Sequence, residues 1–162
     1  MKQRRPTIRI DDWKIALNLE DTKSVQRDKA APAYNCGCDL CKKWKANYKD
    51  LLPETYLGQL TRAFIDLDYP TELYQSDSNK NGVSIRIQFH IVGKILDGPI
   101  TYSYRENGRH MFYSEIRKDP WLTVALTKHS ETYEYHPEYT DSKSGDIILV
   151  DMRLFLPHDL SK

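Results

Sequence analysis

The 162-residue chain is expected to fold as a single α+β domain, with two helices in its N-terminal half packed on a mainly antiparallel sheet. Three observations predict this class. Apolar residues recur at helical spacing between Leu40 and Leu67. Apolar and polar residues alternate strictly after Gly82. Turn sequences such as Asn81-Gly82 and Asn107-Gly108 separate the alternating runs. The number of such runs suggests about five to seven strands.

Residues 1–6 are expected to form a flexible N-terminus. From Thr7 to Glu20 the chain reads as extended, with Trp13, Ile15, Leu17 and Leu19 alternating with Lys14, Ala16, Asn18 and Glu20. Asp21 to Ala33 is polar, ends in Ala-Ala-Pro-Ala and reads as a loop. A helix is predicted from Asp39, taken as its N-cap, with Leu40, Trp44, Tyr48 and Leu51 on one face. Pro53 blocks its continuation. A second helix fits Glu54 to Leu67, with the stripe Leu57, Leu60, Phe64 and Leu67, and Asp68-Tyr69-Pro70 ends it.

The clearest strand follows the turn Ser78–Gly82. Val83, Ile85, Ile87, Phe89 and Ile91 are expected in the core, and Arg86, Gln88 and His90 on a solvated face. Asp97-Gly98-Pro99 turns the chain. Ile100, Tyr102 and Tyr104 then alternate toward the Asn107-Gly108 hairpin and Met111-Phe112-Tyr113. Trp121–Lys128 and Asp146–Leu156 read as two further strands, and Tyr133-Glu134-Tyr135 as a short one.

Composition narrows the function. With 40% hydrophobic and 29% charged residues the chain can build a packed core. No apolar run approaches the roughly 20 residues that span a bilayer. The start Met1–Pro6 leads into no apolar segment, so a cytoplasmic protein without membrane insertion is expected. A net charge of +1 argues against blanket nucleic-acid binding. Lys42-Lys43-Trp44-Lys45 resembles a stacking site for single strands, but helical spacing places Trp44 on the apolar face. Charge is unevenly spread: residues 1–50 hold 12 Lys+Arg against 7 Asp+Glu, the remainder 12 against 16. Glu131, Glu134, Glu138, Asp141, Asp146 and Asp151 make the late part acidic.

Chemistry concentrates at Cys36, Cys38 and Cys41, the chain's three cysteines. An odd number excludes a full set of internal disulfides. Three thiolates suit zinc or iron, with zinc the expected cofactor if one binds, and Cys38 and Cys41 have the gap common in zinc sites. A fourth ligand is available from His90, His110, His129, His136, His158 or Asp39. The alternatives are a redox pair, activated by a helix start and Lys42-Lys43, and buried structural thiols. No nucleophile elbow, phosphate-binding glycine loop or His-Glu-x-x-His helix occurs, so the reading leans away from an enzyme. Eleven tyrosines are present. Tyr133, Tyr135 and Tyr139, with Glu134 and Glu138, form a candidate surface for another protein or a second copy of this chain. The leading expectation is therefore a non-catalytic protein-interaction domain, adaptor- or immunity-like, and the competing one a metal or redox thiol protein.

Cys36-Gly37-Cys38-Asp39-Leu40-Cys41-Lys42-Lys43-Trp44, the helical pair, the segment ending in Gly93 and Leu154-Phe155-Leu156-Pro157-His158 resemble a group of small uncharacterised bacterial proteins. Their motif is Cys-x-Cys-x-x-Cys-basic-Asn-aromatic, and Lys43 stands here in place of the Asn. The likeness covers Tyr34 to Gly93 and the last strand. It implies a bacterial cytoplasmic protein and brings no activity. Locally the cysteines also resemble those of glutathione-dependent formaldehyde-activating-type zinc proteins, whose additional paired cysteines this chain lacks.

Overall fold

A computed structural model describes residues 5–129, 135, 137–139 and 145–160. Among these, seven strands form one antiparallel sheet, two form a separate hairpin, and three α-helices precede most of them. The order is β1 (Thr7–Ile10), β2 (Trp13–Leu17), α1 (Leu19–Val25), α2 (Asp39–Leu51) and α3 (Glu54–Arg62). There follow β3 (Glu72–Asn79), β4 (Gly82–Asp97), β5 (Tyr102–Arg105), β6 (Gly108–Met111), β7 (Ser114–Lys118), β8 (Trp121–Lys128) and β9 (Asp146–Pro157). The α+β expectation is met, with the sheet dominating.

In the large sheet the strands lie in the order β1-β2-β4-β9-β8-β7, and β3 also pairs with β4. The long β4 organises everything. One edge pairs with β9 from Gly82 to Gly93. The other pairs with β3 along Gly82–Gln88 and with β2 along Gly93–Asp97. Gly93 is therefore flanked on both sides, and a Cβ there would meet Ala16 O at 2.4 Å. Between β3 and β2 this edge has no strand partner, and α1 fills the gap. Thr22 Oγ1 accepts from Val92 N–H at 2.9 Å and donates to Val92 O at 3.1 Å, while Gln26 Nε2 donates to His90 O at 2.6 Å.

Two segments differ from the sequence reading. Thr7 to Leu17 is a tight hairpin, not one strand, because Asp11 takes a left-handed conformation (φ 50°) and reverses the chain, and Leu19 and Glu20 begin α1. The expected Asp21–Ala33 loop begins as a helix, capped by Asn18, whose side chain accepts from Asp21 N–H at 3.0 Å. Pro6, placed in the flexible tail, accepts a hydrogen bond from Leu17 N–H. β3 and β7 were not foreseen as strands.

The core lies between the helices and one face of the sheet. It gathers Trp13, Ile15 and Leu17 of β2, Ile85, Ile87, Phe89 and Ile91 of β4, and alternate residues of β8 and β9. Trp44 is fully buried, stacks on Tyr48 and donates from Nε1 to Leu67 O at 2.8 Å. The expected stripe of α3 breaks at its end. The helix stops at Arg62, and Phe64, at φ 60°, turns out to 43% exposure instead of joining Leu60 and Leu67. The largest correction concerns the even positions of β4. Arg86, Gln88 and His90 are buried, the last two at 0% and 1% exposure, so that face is not solvated.

Candidate metal centre

The cysteine cluster sits at the head of α2. Upstream, Ala31 and Ala33 are buried, Ala33 N–H donates to Thr71 O, and the Tyr34 ring stacks on Tyr69 at 5.4 Å. These contacts pin the approach to the helix. Cys38, not Asp39, is the N-cap: its sulfur accepts from Cys41 N–H at 3.4 Å, and its extended backbone (ψ 160°) turns the chain into the helix. Asp39 takes the first helical position, where its charge complements the helix dipole.

This local geometry gathers the thiols. The spacing Cys38-x-x-Cys41 puts the second sulfur one turn into the helix, and the bend at Cys38 leaves the Cys36 sulfur beside the cap. All three Sγ atoms lie within 4.8 Å of one another, close enough to ligate one ion. Cys36 Sγ and Cys38 Sγ are 3.0 Å apart, and all three cysteines are free thiols. Cys38 is exposed, Cys36 half-buried and Cys41 buried. The Cys38 thiol is lowered to about 7, chiefly by its contact with Cys36 and then by the Cys41 N–H. Burial, with the neighbouring sulfurs adding to it, pushes the Cys41 thiol well up.

No further ligating atom of the described residues joins the three sulfurs. His90 Nδ1 is bonded to Thr71 Oγ1, His110 to Asn107 and His158 to Asn79 O. His129 stands edge-on to His90, 6.0 Å between ring centres, and His136 lies outside the described residues.

The candidate interaction surface divides. Tyr133 and Glu134 lie outside the described residues. Tyr135 OH donates to Asp28; burial, with this bond adding to it, raises the Tyr135 pKa to about 12, and Tyr139 OH donates to Asp21 at 2.6 Å. Glu138 is exposed. Two of the candidate tyrosines thus spend their hydroxyls on the chain's own carboxylates.

Sequence reading missed a second polar group of residues on the sheet face away from the helices. Arg86 donates to both carboxylate oxygens of Asp151, at 2.9 and 2.7 Å, and to Tyr74 OH at 2.8 Å. Asp151 also accepts from Tyr113 OH at 3.3 Å. Burial works to lower the Arg86 pKa, but the Asp151 bond and charge outweigh it and hold the guanidinium firmly charged. A signal was present: Asp151 and Arg153 interrupt the apolar run Ile147–Leu156 at alternate positions.

What the fold and cluster define is the class: an α+β chain with a three-thiol group at a helix start. Neither a protein-family model, nor a curated protein, nor a solved structure matches this chain.

Proposed function

We propose that the protein binds one zinc ion through Cys36, Cys38 and Cys41, and that the loaded centre fixes the loop ahead of α2 as a structural element. The observation that supports this reading is the convergence of all three sulfurs within 4.8 Å. Zinc–sulfur bonds of about 2.3 Å in a tetrahedral arrangement set sulfurs nearly 4 Å apart. Loading therefore parts the Cys36–Cys38 pair by less than about 1 Å and leaves one position for water or a group from outside the cluster. Zinc suits the set because thiolates favour soft and borderline ions. The alternative of a protein-interaction surface at Tyr135, Glu138 and Tyr139 has weaker support, since both hydroxyls are engaged internally.

One observation favours a second reading. The 3.0 Å approach of Cys36 to Cys38 also suits a redox pair. Metal analysis of protein purified without chelator, combined with thiol counting, separates the two. Near one zinc per chain, lost in Cys38→Ser and in Cys41→Ser, supports the centre, and chelation then lowers the melting temperature. Metal-free protein with three titratable thiols overturns it in favour of structural cysteines. Metal-free protein that forms one internal disulfide under mild oxidant overturns it in favour of redox chemistry.

A further inference from the structure

We infer that the sheet face opposite the helices carries an oxyanion-binding site centred on Arg153, which takes a carboxylate or phosphate group. The register builds the site. Tyr74 on β3, Arg86 on β4, Arg153 on β9 and Thr123 on β8 are successive partners, so they form one row across four strands. The next row on the same face holds Glu72, Gln88, Asp151 and Ala125.

The two arginines stand directly opposite one another, an arrangement that is unfavourable for like charges across an antiparallel pair. Of the carboxylates on this face, Asp151 gives both oxygens to Arg86. The Arg153 guanidinium instead rests on the Tyr113 ring, 4.5 Å from its centre. Its Nε is buried and has no hydrogen-bond partner among the described residues. Among the described residues Arg153 takes part in no ion pair, unlike Arg27 with Asp66 and Arg86 with Asp151. Glu115 extends the row on β7 but makes no such pair.

A buried guanidinium N–H left unbonded is costly, and so is a second cation beside the first. Such departures from local consistency mark functional positions. Arginine presents a planar fork of donors that matches carboxylate and phosphate oxygens, and stacking on Tyr113 fixes the plane of that fork. The surroundings leave access. Asp151 and Gln88 form a buried floor, whereas Tyr74, Tyr113, Thr123, Arg153 and Phe155 are each half-buried and open to the surface.

The test follows arginine Nε–Hε and backbone amide resonances of the full chain by NMR, the amides serving in variants that lack Arg153. Inorganic phosphate and, separately, acetate are titrated against sodium chloride at matched ionic strength. A saturable shift is expected at Arg153 Nε–Hε and at the amides of Thr123, Met152 and Leu154 beside it, the amide response weakened about tenfold in affinity in Arg153→Lys and abolished in Arg153→Gln. Lys14→Gln, a charge removed from exposed β2 surface, should leave it unchanged. A response to one anion alone supports the site and identifies the group. Should Arg153→Gln not fold, Arg153→Lys keeps the cation and still reads the loss of the fork. A shift no larger than that given by chloride, or an equal shift in the lysine variant, overturns the inference.

Discussion

The two faces of β4 and β9 are both buried, yet they are built from opposite materials. Toward the helices stand Ile85, Ile87, Phe89 and Ile91 with Ile148, Val150, Met152 and Leu154. Away from them stand Arg86, Gln88 and His90 with Leu149 and Asp151. The first face is held by packing, which tolerates small shape changes at modest cost. The second is held by directed bonds, which are stable when complete and costly when one partner goes. Burial alone therefore says little about what a substitution does; the chemistry of the neighbours decides.

That contrast can be tested by substitution. The largest effect is expected from Asp151→Ala, which strands Arg86 in the interior and should cost about 3–5 kcal/mol in denaturant melts. A loss below about 1 kcal/mol would show that water replaces the carboxylate and that the second face is not a core. The double change Arg86→Met with Asp151→Leu removes both charges and should recover most of that loss. On the apolar face Ile87→Ala should cost about 2–5 kcal/mol through lost contacts and the cavity left behind. No double replacement is expected to restore it in the same way. Trp44→Phe keeps most of the ring volume but leaves Leu67 O without its donor, a smaller loss of about 1–3 kcal/mol by the same measurement.

The smallest effect sharpens the contrast at the cysteines, where exposed and buried thiols stand side by side. Cys38 has a lowered folded-state pKa, so its thiolate favours the fold above the ordinary thiol range. That contribution fades as pH falls through about 7. In chelator-treated protein, alkylation of Cys38 should reach half its maximal rate near pH 7, while buried Cys41 stays slow. Mass spectrometry of partly alkylated protein reads both rates. A Cys38 midpoint in the ordinary thiol range would contradict the geometry of the cap.

Much of the architecture was legible because β4 is long. Nine residues of strict alternation from Val83 to Ile91 fix which side chains share a face, and the structure keeps that register. The alternation could not reveal what covers the second face, because period two is the same beneath water and beneath protein. The stripe of α3 was overextended to Phe64 because spacing continues smoothly past Arg62, whereas the left-handed turn at Phe64 is a backbone event. The hairpin at Asp11 lacks the Asn-Gly signal that marked Gly108. α1 is short and polar, and its purpose lies in β4, some 70 positions further along. The thiol group was readable from spacing alone; that Cys38, rather than Asp39, caps the helix was not.

The seam where α1 lies against β4 has a consequence for self-association. Exposed strand edges are templates on which a second chain can add, and the gap between β3 and β2 would be such a template in the middle of the sheet. Thr22 and Gln26 occupy it with side chains, which cannot propagate a ladder as a further strand would. α1 therefore acts as a chain terminator for β-addition, and its loss would convert the longest strand among the described residues into the nucleus of an aggregate.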